Sequence, residues 1–219
     1  ISCTDCGPRY TMIKSLPYDR ENTAMAEFKF CAECEKEYYN FYDRRFNAQS
    51  TTCQACGPSF FLYSIEEKKL IDGENKDLMD IVCKEILNGK IVAIKGIGGF
   101  HLVADPDNDR TVERLFISKR RDKKPIALVC SDVKAIEKYC IVSAKEKEFF
   151  LSSRSPIVLF KLKTDKFLNI NDGLSTLGVM HAYTPVLHYI LAKTKKEFLI
   201  ATSANLSGLP MITDNDQAK

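Results

Sequence analysis

Six of the nine cysteines stand as C-x-x-C pairs, Cys3/Cys6, Cys31/Cys34 and Cys53/Cys56, all within the first 56 of 219 residues. Such a turn holds two thiolates at a separation that tetrahedral Zn²⁺ accepts, and two turns close a four-thiolate site. Eighteen residues separate Cys34 from Cys53, a spacing that suits a zinc ribbon or knuckle. Three pairs make one and a half sites. Cys3/Cys6 either completes a motif begun upstream or shares a metal with one of the other two pairs, and the spacing leaves both open. Four thiolates leave no open coordination position, so these sites point to folding and partner contact rather than chemistry. The glycines after Cys6 and Cys56 suit a turn whose backbone N–H groups point at sulfur.

A second set of residues suits phosphate. Lys119-Arg120-Arg121-Asp122-Lys123-Lys124 places five cations in six positions ahead of Pro125. Such a run is either a solvated or nucleic-acid-facing patch or a phosphate clamp at a helix end, where arginine meets phosphate oxygens bidentately. Lys95-Gly-Ile-Gly-Gly-Phe-His101 reads as a glycine-rich turn directly after a strand, and no G-x-x-x-x-G-K-[ST] P-loop accompanies it. Ser203-Ala-Asn205 adds a hydroxyl and an amide at the end of an apolar run, where α/β sheets bind ligands.

These residues need elements to position them. Up to about residue 62 no sustained helical or alternating apolar pattern appears, so metal is the economical way to hold that segment. From about Ile71 the texture changes. Asn75–Asn88 reads as a helix with Leu78, Ile81, Val82 and Ile86 inward, and 91–95, 126–130, 157–162 and 198–202 read as strands. Helices are expected over 108–117, from Ser131, from the capping box Ser143-Ala-Lys-Glu146, and from Thr184-Pro185 with Leu187, Ile190 and Leu191 inward. The expected fold is α/β, with a small Cys-rich zinc-binding region over 1–62 and a twisted mixed-sheet domain over 63–219. C-x-x-C-G-P occurs twice, at Cys3 and Cys53, as a duplicated unit would.

Composition excludes some classes of function. The chain is 45% hydrophobic and 28% charged, as a folded protein is, and 32 basic against 29 acidic residues do not by themselves declare a nucleic-acid partner. No apolar run has the length of a membrane span, and no export signal opens the sequence. An odd cysteine count then argues for a reducing, cytoplasmic setting rather than a disulfide framework.

Taken together, Lys119-x-Arg121 with Lys124-Pro125 and then Ser203-Ala-Asn205-x-Ser207-Gly208 resemble the signature of YrdC-type domains. The upstream segments narrow the resemblance. Cys3-x-x-Cys-Gly-Pro-Arg9-Tyr10, Leu16-Pro-Tyr-Asp19-Arg20-x-Asn22-Thr23, Asp43-Arg-Arg-Phe46 and Lys95-Gly-Ile-Gly-Gly-Phe-His101-Leu102 are similar to HypF-type hydrogenase-maturation carbamoyltransferases, as is the cysteine spacing. The chain departs from that pattern at Asn47, where a histidine is expected, and at His181-Ala182, where Leu-Pro is expected.

The resemblance implies a middle portion of a longer polypeptide, between an acylphosphatase domain and a Kae-type domain. It implies structural Zn²⁺ on Cys3, Cys6, Cys31, Cys34, Cys53 and Cys56, and ATP with Mg²⁺ as substrate. Carbamate derived from carbamoyl phosphate would attack the α-phosphate to give carbamoyl-adenylate, for later transfer to the C-terminal cysteine of a HypE-type acceptor. Lys119, Arg121 and Lys124 would neutralise the phosphates, Ser203 and Asn205 would bind phosphate or ribose, and Lys95 and His101 would line the carbamate end. Two rivals stand beside this reading: a zinc-containing RNA- or tRNA-binding module without catalysis, and an adenylate-dependent carbamoyltransferase with another acceptor.

Overall fold

The computed structural model describes residues 12–120 and 124–219. It divides into two compact units, Ile1–Phe61 and Leu62–Lys219.

In the first unit, 3-10 turns at Arg20–Asn22 and Ala24–Glu27 precede the α-helix α1 (Ala32–Tyr39). The cysteine-rich segment thus contains a helix where no helical pattern is legible. Cys31 occupies its N-cap position without a side-chain capping bond, and the helix's two buried residues, Cys34 and Tyr38, stand four apart on one face. The rest of this unit is organised by polar contacts. The Arg20 guanidinium lies 3.9 Å over the Phe30 ring and donates to the carbonyls of Gln49, Thr51 and Phe28 at 2.9, 2.9 and 2.7 Å. Buried Thr23 ties back through its hydroxyl to the Arg20 carbonyl at 2.7 Å, and Tyr38 donates to Gln49 Oε1 at 2.8 Å. Asn47 occupies a left-handed conformation at φ 54°, which asparagine tolerates better than most residues.

The second unit opens with a hairpin, β1 (Leu62–Ser64) and β2 (Lys69–Ile71). There follow α2 (Asn75–Leu87), β3 (Val92–Gly96), β4 (Gly99–Ala104), α3 (Asp109–Ser118), β5 (Leu128–Cys130), α4 (Val133–Tyr139) and β6 (Cys140–Ile141). After them come α5 (Ala144–Leu151), β7 (Ile157–Leu162), α6 (Leu168–Asn171), β8 (Thr176–His181), α7 (Pro185–Thr194) and β9 (Leu199–Ser203). Seven strands form one mixed sheet in the order β3-β4-β9-β5-β8-β7-β6, in which only the β5–β8 pair is parallel. One face packs Leu128, Phe160, Val179 and Ile200 against Leu115, Ile136 and Phe150. The other packs Val103, Val129, Leu199 and Ala201 against α2 and α7.

The helix α2 buries Leu78, Val82 and Ile86 as its periodicity requires, together with Met79 and Cys83, while Ile81 is half-buried. The capping box at Ser143 and Glu146 forms in full, and Thr184 caps α7 through its hydroxyl, with Leu187, Ile190 and Leu191 buried. Cys83, Cys130 and Cys140 are core residues. Burial pushes the last two thiols up to about 11, which leaves them inert.

Five strands, β1, β2, β4, β6 and β8, were hidden in the sequence, and two of them bear on the site. The glycine-rich stretch is a β-hairpin rather than a turn alone: Gly96 pairs with Gly99, so His101 lies within β4. The run Thr176–His181 is β8, an internal strand interrupted by Gly178.

Candidate functional site

Cys31, Cys34, Cys53 and Cys56 form a single cluster whose sulfurs all lie within 4.8 Å of one another. Cys31 Sγ is 3.7 Å from Cys53 Sγ, which is 3.8 Å from Cys56 Sγ. Four sulfurs about 2.3 Å from a central Zn²⁺ stand about 3.8 Å apart, so the donor set fits a structural zinc. A backbone N–H does point at sulfur in this turn, that of Ala55 at 3.3 Å from Cys53 Sγ, while Gly57 donates to the Cys53 carbonyl. Backbone hydrogen bonds at Cys53 and Cys31 lower the Cys56 thiol to about 6, while burial and the neighbouring thiols push Cys34 up. Cys3 and Cys6 lie outside the described residues.

The second constellation is built at one end of the sheet. Helix α3 ends at Lys119, and Arg120 turns the chain into the left-handed region at φ 47°. The Lys119 side chain is buried. Its ammonium donates to the Ser203 carbonyl and, at 3.0 Å each, to the carbonyl and Oδ1 of Asn205. Ser203 Oγ donates to Asn205 Oδ1 at 2.7 Å, and the Ser207 N–H returns to the Lys119 carbonyl at 3.3 Å. Segments eighty-four residues apart thus close on one another.

His101 stands beside this cluster, because the β4–β9 register pairs it with Ser203 and puts both side chains on one sheet face. Its Nε2 is 3.4 Å from the Tyr183 hydroxyl, and burial lowers its pKa despite a hydrogen bond at the Gly99 backbone. Lys95 is not brought to this group. It pairs with Phe100, one residue out of step with His101, so it faces the other side of the sheet and binds Asn215 Oδ1 at 2.7 Å. Lys124 is exposed just before β5, and Arg121 lies outside the described residues.

The chain after β9 straps across the β3–β4 hairpin. The Phe100 N–H donates to the Ile212 carbonyl at 2.8 Å, and Ile212 donates to the Ala204 carbonyl at 3.0 Å. Gly99 is required there. Its φ is 145°, and a Cβ would stand 2.7 Å from both the Ile212 oxygen and Met211 Sδ.

His181 closes the far end of β8, opposite Cys130, with its ring 5.1 Å from Phe150 and 5.6 Å from His188. Burial and then His188 lower its pKa. The residue departing from the Leu-Pro pattern is therefore half-buried between a core phenylalanine and a second histidine.

Residues 84–219 match the model of the Sua5/yciO/yrdC family, which carries the description "Telomere recombination". The chain belongs to this family. Residues 30–63 match the HypF finger model. Over its whole length this Sua5/yciO/yrdC member is 38% identical to the carbamoyltransferase HypF of Rhodobacter capsulatus and 40% identical to that of a Synechocystis strain. It spans 29% and 28% of those two proteins. Among solved structures it is similar to HypF of T. kodakarensis, with TM-score 0.90 and 39% identity over 100% of this chain and 28% of that one. It also resembles a full-length HypF in a phosphate- and nucleotide-bound form, with TM-score 0.87, 44% identity and the same shares covered.

Tyr183 is the site residue that sequence reading missed. It stands beside the recognisable Thr184-Pro185 helix start, and nothing in its own neighbourhood ties it to His101, eighty-two residues away.

Among the described residues no helix is long and apolar enough to cross a membrane.

Proposed function

We propose that this chain is the adenylate-forming part of a HypF-type carbamoyltransferase acting in [NiFe]-hydrogenase maturation. The observation that carries the reading is the convergence of Lys119 with Ser203 and Asn205, a cation, a hydroxyl and an amide drawn together beside the cation run. Whole-length similarity to proteins named carbamoyltransferase HypF supports the acyl group as carbamoyl.

The substrates are ATP, bound with Mg²⁺, and carbamate released from carbamoyl phosphate elsewhere in the polypeptide. A carbamate oxygen forms a bond to the α-phosphorus while the bond from that phosphorus to the bridging oxygen breaks. Carbamoyl-adenylate and pyrophosphate result. A carbamate oxygen is already nucleophilic, so the protein's work is in-line positioning and stabilising charge on the phosphates. Arg121 and Lys124 supply cations, while Ser203 and Asn205 bind phosphate or ribose. Lys119 has its ammonium turned onto the 203–205 backbone, so it presents the motif and adds its charge from behind. His101 borders the carbamate end. The acceptor is the terminal cysteine of a HypE-type partner, and Cys31, Cys34, Cys53 and Cys56 hold zinc that takes no part in the reaction.

Calorimetry with ATP and Mg²⁺, followed by ATP–pyrophosphate exchange driven by carbamoyl phosphate, tests this on the full-length protein. Saturable ATP binding is expected, with Arg121→Ala slowing exchange about 100-fold, as loss of one transition-state donor does. Absence of ATP binding, or unchanged exchange in Arg121→Ala, would overturn the assignment.

A further inference from the structure

The pair His101–Tyr183 is left unexplained by phosphate binding. His101 sits half-buried on the sheet face that carries Ser203, and cross-strand partners of this kind have Cβ atoms about 5 Å apart. Tyr183 arrives from a distant part of the sequence, at the junction of β8 and α7, and sets its hydroxyl 3.4 Å from His101 Nε2. Beneath both lies Gly96. A Cβ built there would stand 3.5 Å from His101 Nδ1 and 3.5 Å from the Tyr183 hydroxyl, with the Gly99 carbonyl oxygen at 3.9 Å. The missing side chain thus leaves a methyl-sized space bordered by an imidazole, a phenol and a carbonyl.

The proton arrangement follows from the partners. Burial favours the neutral imidazole, and the Gly99 backbone bond takes the ring's single N–H. Because Nδ1 and the Gly99 oxygen border the same point at Gly96 while Nε2 faces Tyr183, that N–H is assigned to Nδ1. Nε2 is then an acceptor, and the Tyr183 O–H donates to it. With its proton directed at His101, the Tyr183 oxygen offers only lone pairs to anything entering the space. Burial also raises the Tyr183 pKa, so the phenol keeps that proton.

We propose that Tyr183 is a specificity-determining residue of this site, its hydroxyl oxygen accepting an N–H of the substrate's carbamoyl group while His101 holds the hydroxyl in place. This rests on the adenylation reading above. An acceptor at that point favours an acyl group bearing an amino function over one ending in a methyl group, because the latter brings no donor to the lone pairs of the half-buried oxygen. His101 is accordingly a positioning residue, with neither nitrogen available as a general base.

Carbamoyl-phosphate-driven ATP–pyrophosphate exchange in the full-length protein separates the possibilities. Tyr183→Phe keeps the ring and removes the oxygen, and the KM for carbamoyl phosphate should rise about tenfold, the size of one neutral hydrogen bond, with the KM for ATP unchanged. Gly96→Ala fills the space without backbone strain, so exchange should fall at least tenfold while calorimetric ATP binding persists. If the parent protein binds ATP but shows no exchange, the adenylation reading fails and this inference with it. If the parent exchanges and Tyr183→Phe leaves the carbamoyl phosphate KM unchanged, or shifts both KM values together, this inference alone is overturned. Unaltered exchange in Gly96→Ala overturns it equally.

Discussion

The two units of this chain solve the same problem with different materials. Among the described residues of Ile1–Phe61, the buried ones are Met12, Thr23, Cys34, Tyr38, Gln49 and Thr51, half of them polar, while Tyr39, Phe41, Tyr42 and Phe61 stay largely exposed. In Leu62–Lys219 the interior is Phe150, Phe160, Phe167, Leu128, Ile136 and their neighbours, fully withdrawn from water on both sides of a sheet. A segment of some fifty residues has too little volume to enclose its aromatic side chains. It is instead tied at points: four sulfurs at one, and the Arg20 guanidinium on three carbonyls at another. The larger unit is held by area. Point ties make stability depend on one ion or one side chain, whereas an extended core distributes it.

That contrast is open to attack, most strongly through the metal. Chelation, or Cys34→Ser, should unfold the first unit, since zinc supplies about 10–16 kcal/mol to small domains of this kind. Limited proteolysis should then cleave before residue 62 and spare the sheet unit, and equal loss of both would erase the distinction. A smaller effect is expected from Phe160→Ala, which empties a fully buried position and should cost about 3–5 kcal/mol in denaturant unfolding of the sheet unit. Zinc content measured on the same sample should not change.

The smallest effect belongs to the capping box. Ser143→Ala should cost about 1 kcal/mol, read as a shift of a few degrees in thermal melting. The Ser143 hydroxyl and backbone N–H hold the Glu146 carboxyl below its usual range. Its contribution is therefore fully present above the unfolded carboxylate's pKa and is lost as pH falls through the lower folded value. The difference between parent and variant should accordingly narrow in acid, and a gap that widened below about pH 4 would contradict this assignment.

Legibility in the sequence followed the range of the interactions. The helices α2 and α7 were readable because apolar spacing and caps are encoded within a dozen residues, and Thr184 and Ser143 do what their neighbours imply. The helix α1 was not, because one cysteine and one tyrosine make its buried stripe and the remainder is largely charged. The strand β8 was obscured by Gly178 and by a histidine at its end, and β4 by the glycines that form its turn. At the site, the motif residues Lys119, Ser203 and Asn205 were recognisable by type and did come together. Placing Lys95 with His101 ignored the two-residue alternation of the hairpin, which puts them on opposite faces.

By itself the sequence determined the kinds of group present and whatever depends on near neighbours: C-x-x-C turns, caps, helical faces, and a family signature in its cation run and Ser-Ala-Asn motif. Tertiary structure alone decided that Cys31/Cys34 and Cys53/Cys56 share a site, that the Lys119 ammonium faces inward to Asn205, and that Tyr183 meets His101 across eighty-two residues. The reason is that local spacing fixes direction within one element, whereas contacts between elements depend on register and on the packing of α2 and α7 over the sheet.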